Sequence, residues 1–217
     1  MSHITLIRHG QANTQARDEV SYDRLSPLGH QQAAWLGAHL RDSGSFYTRI
    51  YSGTLTRHVE TAAGMGFTTE VTQDSRLNEM EYFTLATAME QQQGLPIPTE
   101  REAFVQHMPK VLAAWAADEI ENPPESWRDF ETRVSSALAE IALGEGPALV
   151  ITSGGLISMA MRHALALDTL GMARLALAIM NSSMHRLHTI DGHLSPVLFN
   201  AVPHLEEPDR HYAQTHL

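Results

Sequence analysis

A short apolar segment near the start of the chain, which ends abruptly in polar residues, most constrains the fold. In HITLIRHG, residues 3–10, apolar and β-branched residues occupy successive positions up to Ile7, and Arg8, His9 and Gly10 follow directly. An unbroken apolar run of this length is typical of a strand covered on both faces, as in a parallel or mixed sheet. The segment therefore predicts an α/β fold with Arg8 and His9 at the carboxyl end of a strand.

Strand and helix patterns alternate over most of the remaining sequence. LSPLGHQQAAWLGAHLR predicts a helix from about Pro27 to Arg41, with Ser26 as its N-cap. RIYSG, TTEVTQ, GPALVITSGG, MNSSMHRLHTI and LSPVLFNAV have the composition of strands, and TLTRHVETAAGMG that of a helix. We expect a three-layer sandwich in which a mostly parallel central sheet is flanked by helices.

Strand patterns are absent from about residue 84 to residue 141, where apolar residues recur at helical spacing. We interpret 84–141 as a helical insertion, or lid, over the active site within a single domain that spans residues 1–217. Pro109 is expected to break or kink a helix there, because proline cannot donate a backbone hydrogen bond. The polar tail from Glu206 is expected to fray.

The charge balance excludes several classes of partner. Fifteen Lys and Arg residues stand against twenty-five Asp and Glu residues, for a net charge of −10. Nucleic acids and anionic membranes require a basic surface, so neither is an expected partner. The sequence contains no cysteine, which excludes disulfides and thiol nucleophiles.

Two further patterns are missing from the sequence. The first residues lack the basic and apolar pattern of a leader peptide, and we therefore expect a soluble, cytoplasmic protein. None of the thirteen histidines has the spacing of a metal site such as His-Glu-x-x-His, so we expect no metal and no cofactor.

Polar candidates follow four predicted strands. Arg8-His9-Gly10 follows the first, Arg57 the second, Glu79 the third and Ser153 the fourth. In an open α/β sheet such residues converge at the carboxyl ends of the strands. The set suits phosphoryl transfer: Arg8 and Arg57 would neutralise the phosphate, His9 would attack phosphorus, and Glu79 would move the proton of the leaving alkoxide.

Five segments in order resemble the histidine phosphatase, or phosphoglycerate mutase-like, superfamily: LIRHGQ, LSPLGHQQA, YSGTLTRHVETA, RLNEMEYF and VITSGG. The resemblance extends from Ile4 to about Leu205. It implies that His9 is the nucleophile, that Glu79 is the proton donor, and that phosphate is bound by Arg8, Arg57, Ser153, Gly10 and Gln15. It also implies a small phosphorylated substrate or a phosphate ion as ligand.

The sequence departs from the family pattern at two positions. Ser153 stands where the family has a second catalytic histidine, and the loss of one charge-assisted contact would slow the reaction about 10- to 150-fold. His58 is a possible substitute but, next to Arg57 on a helix, is expected to face away from the pocket. Phe83 stands where a glycine commonly follows the acid motif, which leaves Glu81 as a rival proton donor.

The predicted function is a metal-independent phosphomonoester hydrolase that works through a phosphohistidine on His9. Two alternatives stay open: a catalytically impaired protein of the same fold that binds or senses phosphate esters, and a phosphoglycerate mutase-type phosphotransferase. The sheet edges could pair in a homodimer. The identity of the substrate does not follow from the sequence.

Overall fold

The computed structural model describes residues 2–216, with Arg101 described by its backbone alone. A six-stranded sheet has the order β3-β2-β4-β1-β5-β6. The strands are β1 (His3–Arg8), β2 (Arg49–Ser52), β3 (Val71–Gln73), β4 (Ala148–Thr152), β5 (Met184–Ile190) and β6 (His193–Ala201). The predicted α/β fold with a mostly parallel sheet is confirmed.

The sheet consists of a parallel part and an antiparallel part. Strands β3, β2, β4 and β1 run parallel, whereas β5 pairs antiparallel with β1, and β6 antiparallel with β5. The carboxyl ends of β1, β2 and β4 therefore meet at one edge of the sheet, and Met184, the first residue of β5, pairs with Ile7 at the same edge. This is the edge at which the candidate residues were expected to converge.

Helices cover both faces of the sheet. They are α1 (Glu19–Tyr22), α2 (Pro27–Asp42), α3 (Thr56–Gly64), α4 (Tyr82–Gln93), α5 (Arg101–Ala116), α6 (Trp127–Leu143), α7 (Gly154–Leu165) and α8 (Thr169–Ala178). Alternate residues of β1 enter separate cores: Ile4 and Leu6 pack with α6 and α7, whereas Ile7 packs with α2 and α3. This alternation explains why Ile4, Leu6 and Ile7 are all apolar although they point to opposite faces of the sheet.

The predicted insertion contains only helices and the loops between them, and it has two different parts. Helix α6 buries Phe130, Val134 and Leu138 in the core that β1 and β4 share, so it is a layer of the sandwich and not a lid. Helices α4 and α5 and the loop between them lie over the sheet edge. Helix α5 continues through Pro109, contrary to the predicted break.

The C-terminal segment is docked, contrary to the expected fraying. Residues Pro208–Ala213 form a 3₁₀ helix. Beyond it, the carbonyl of Thr215 accepts from the backbone N–H of Asn181 at 2.7 Å, and Gln32 donates to the carbonyl of Ala213 at 2.7 Å. Buried partners thus hold a segment whose own sequence is polar. Within residues 2–216, no helix combines the length and the apolar character needed to cross a membrane.

Candidate active site

His9 lies at the carboxyl end of β1 and is only 2% exposed. Its Nδ1 donates to the Gly10 carbonyl at 2.7 Å, which leaves the lone pair of the ring on Nε2. Burial, followed by the charges of Arg57 and Arg8, lowers the pKa of His9 well below its usual value. The imidazole is therefore neutral at ordinary pH, the state in which it can act as a nucleophile.

Arg57 lies in the first turn of α3 and is 2% exposed. Its Nη1 donates to Asp23 Oδ1 at 2.9 Å, and Asp23 also accepts from the backbone N–H groups of Thr56 and Arg57. The guanidinium carbon stands 4.9 Å from the centre of the Tyr22 ring. Asp23 therefore fixes both the helix terminus and the arginine, a role that no pattern in the sequence indicated.

Arg8 is held by two backbone carbonyls. Its Nη1 donates to the carbonyl of Ile179 and, at 2.9 Å, to that of His216. The Nε atoms of Arg8 and Arg57 are both buried, and no group among residues 2–216 accepts a hydrogen bond from either. A buried donor without an acceptor is costly, so the two guanidinium groups beside His9 are suited to an anion.

Glu79 extends from the loop after β3 toward the start of α7. Its Oε2 accepts from the Gly155 N–H at 2.8 Å and its Oε1 from the Met80 N–H at 3.1 Å. A β-carbon at Gly155 would overlap this carboxylate, so glycine there permits the close approach. The rival Glu81 is exposed, accepts from Thr84 at 2.9 Å, and does not line the His9 cavity.

Ser153 lies behind His9 and does not line the cavity. It is fully buried, and its Oγ shares a hydrogen bond with His58 Nε2 at 2.6 Å. The His58 ring centre stands 5.7 Å from that of His9, but His58 is fully buried and does not line the cavity. Burial, followed by the charge of Arg57, lowers the pKa of His58 well below its usual value, so this pair brings no positive charge to the site.

Two other predicted phosphate ligands also lie off the cavity wall. The backbone N–H of Gly10 donates to Thr61 Oγ1 at 3.1 Å, and a β-carbon there would overlap the Gly29 carbonyl, so this glycine serves close packing. Gln15 is exposed and does not line the cavity. Gln11 and Asn13 line the cavity instead.

Glu19 is a cavity carboxylate that the sequence did not reveal. It lies on α1, whose N-terminus is closed by a capping box between Asp18 and Ser21, and its Oε1 accepts from the Phe83 N–H at 2.8 Å. Burial raises the pKa of Glu19 to about 7. In sequence, DEVSY resembles an ordinary exposed turn, and only the packing of α1 against α4 brings Glu19 inside.

The cavity over His9 has a volume of about 410 Å³. Its floor carries Arg8, His9, Arg57 and Glu79, and its outer wall is formed by α4, α5 and the loop between them. Within residues 2–216, no three His, Asp or Glu side chains cluster as metal ligands would.

Known proteins resemble this chain in sequence pattern and in fold. The family model of the histidine phosphatase superfamily (branch 1) matches residues 4–202. No curated protein matches the chain in sequence. At identities below 25%, the similar solved structures establish the fold.

Three solved structures illustrate the likeness. A phosphoserine phosphatase mutant from Entamoeba histolytica has a TM-score of 0.71 at 18% identity, over 94% of this chain and 100% of that one. A phosphoglycerate mutase from Bacillus anthracis has a TM-score of 0.69 at 21% identity, over 94% of both chains. A mycobacterial glucosyl-3-phosphoglycerate phosphatase has a TM-score of 0.66 at 24% identity, over 92% and 98%.

Proposed function

The chain belongs to the histidine phosphatase superfamily, and we propose that it is a metal-independent phosphomonoester hydrolase that acts through a phosphohistidine on His9. One observation carries the proposal: a buried, neutral imidazole with Nδ1 fixed by Gly10 lies beside two arginines whose buried Nε donors lack acceptors among residues 2–216. A phosphate ester would supply both the acceptors and the electrophile.

The first step forms a nitrogen–phosphorus bond. The Nε2 lone pair of His9 attacks phosphorus, the bond to the ester oxygen breaks, and the leaving oxygen takes a proton from Glu79. Arg8 and Arg57 neutralise the charge on the other phosphoryl oxygens. In the second step, Glu79 takes a proton from water as the water oxygen attacks phosphorus, which releases phosphate and restores neutral His9.

Glu79 is proposed as the proton donor in preference to Glu81. Its carboxylate lines the same cavity as His9, and two backbone N–H groups hold it there. Glu81 lies outside that cavity and is bonded to Thr84.

One observation favours a second candidate function. We propose that Ser153 stands where the family has its second histidine; the buried Ser153–His58 pair then supplies no cation to the phosphoryl group. A protein that retains Arg8 and Arg57 but lacks this charge could bind phosphate esters with little turnover, as a sensor or regulator.

Hydrolysis of an aryl phosphate, with and without a chelator, separates the two candidates. We expect chelator-resistant turnover that falls at least about a thousandfold in His9→Ala. His30→Ala, which changes an exposed histidine outside the cavity, is the matched control. If folded wild type binds phosphate in a calorimeter but does not exceed the His9→Ala background, the hydrolase proposal is wrong and the binding protein is favoured.

A further inference from the structure

We propose that the substrates are phosphate monoesters of apolar or aromatic alcohols without a second anionic group. This inference rests on the proposed hydrolase function and concerns the part of the cavity that lies beyond the phosphate. Three features of the cavity wall carry it: the side chains that face the leaving group, the distribution of charge, and the available volume.

The wall opposite His9 is largely aromatic and aliphatic. Helix α4 contributes Tyr82 and Phe83, and α5 contributes Phe104 and Met108. Tyr82 meets Phe104 edge to face, with ring centres 5.2 Å apart, and Phe83 lies 5.8 Å from Tyr22 of α1. The three aromatic side chains of α4 and α5 are only partly buried, so an apolar leaving group would cover rings that otherwise meet water.

The charges on the wall disfavour a second anion. Among the described side chains, the only Lys and Arg residues that line the cavity are Arg8 and Arg57, and both lie at the phosphate position. Three carboxylates line it: Glu19, Glu79 and Glu100. Among the described side chains of this outer region, a carboxylate or second phosphate on the substrate would meet the carboxylate of Glu100 and no cation.

The volume of about 410 Å³ lies within the range of small-molecule sites, and the two arginines and His9 take one end of it. The remaining space therefore accommodates a group at least as large as one aromatic ring.

Phenethyl phosphate and the phosphate monoester of 3-hydroxypropanoate (the carboxylated ester) test the inference, since both are esters of primary alcohols and differ mainly in an aromatic ring against a carboxylate. We expect kcat/KM of the full chain to be at least about tenfold higher for phenethyl phosphate. Ethyl phosphate serves as the small reference with neither a ring nor a carboxylate. A preference for the carboxylated ester over phenethyl phosphate would overturn the inference.

Two substitutions test whether side chains of the cavity wall cause the preference for phenethyl phosphate. In Phe104→Ala, the ratio of kcat/KM for phenethyl phosphate to that for ethyl phosphate should fall toward one, whereas Phe46→Ala, at an exposed phenylalanine outside the cavity, should keep the wild-type ratio. Glu100→Lys replaces an exposed carboxylate with a cation and should raise kcat/KM for the carboxylated ester severalfold. If neither the ratio in Phe104→Ala nor this kcat/KM in Glu100→Lys changes in folded variants, this wall does not select the substrate.

The two proposals fail in different ways. If no ester is hydrolysed above the His9→Ala background, the hydrolase proposal is wrong. Calorimetric competition between phenethyl phosphate and the carboxylated ester for the His9→Ala protein then still reports the selectivity of the wall. Tighter binding of the carboxylated ester would contradict the inference without any reference to turnover.

Discussion

Ser153 and His58 form a buried pair behind His9, so a substitution of one residue also disturbs the other. Ser153 Oγ and His58 Nε2 are 2.6 Å apart and fully enclosed, so His58 fills the space that a longer side chain at position 153 would need. Adding a side chain to a packed interior typically costs about 1–3 kcal/mol. Residues 58 and 153 must therefore be changed together.

We predict that Ser153→His alone lowers stability and does not raise turnover. The pair His58→Ala with Ser153→His frees the space and should raise kcat about tenfold or more, because a charge-assisted contact to the phosphoryl group is gained. Urea unfolding and steady-state kinetics of both variants and of His58→Ala check this. An equal gain from Ser153→His alone would show that His58 does not occupy that space.

Glu19 provides a prediction about stability and pH. Its pKa is raised from 4.5 to about 7 by burial, so the folded state resists ionisation of a group that the unfolded chain ionises readily. The neutral carboxyl stabilises the fold fully below pH 4.5, and this contribution is lost as pH rises toward 7.

Glu19→Gln cannot ionise and should therefore be more stable than wild type at pH 8 by about 1–2 kcal/mol, allowing for solvent screening, with no difference at pH 4. Urea unfolding across this range measures the change. Glu81→Gln is the control. It removes a neighbouring exposed carboxylate and so changes the net charge equally, without removing a buried group. A Glu19→Gln advantage that does not grow with pH would contradict the assigned cause.

The loop after β3, which carries Glu79, is held in place by a helix that is distant in sequence. Arg133 of α6 donates to the carbonyls of Arg76 at 2.9 Å and Asn78 at 2.6 Å, and it pairs with Glu125 at 2.6 Å. These bonds hold the carbonyls of the residues that lead into Glu79. Helix α6 thus both completes the sandwich and positions the proposed proton donor.

We predict that Arg133→Ala lowers kcat/KM more for alkyl phosphates than for aryl phosphates, by about tenfold or more, because only a poor leaving group requires a well-placed acid. The free energy of unfolding should fall by about 2–4 kcal/mol as the loop carbonyls lose their donor. Arg128→Ala, at an exposed position on the same helix, is the control. Equal loss for both ester classes would mean that Arg133 acts on stability alone.

For the molecule as a whole, the sequence predicts most of the sheet and the edge of the sheet at which the candidate site lies. Apolar runs ending in His9 and Ser153 marked two strand ends, and Ser26 with Pro27 marked the start of α2, because these signals are local. The roles of Asp23, Arg133 and Glu19 could not be predicted, because each depends on contacts with distant residues. The docked tail and the burial of His58 escaped prediction for the same reason.

The central claim is that His9 carries the phosphoryl group between the two steps. An aryl phosphate with a radiolabelled phosphoryl group, whose leaving group does not require the acid, tests this claim directly when it is mixed with enzyme and quenched in alkali within the first turnover. We predict acid-labile label on His9 of wild type, accumulation approaching one group per chain in Glu79→Gln, and none in His9→Ala. Rapid turnover by wild type without labelled protein, or equal label in His9→Ala, would contradict the mechanism.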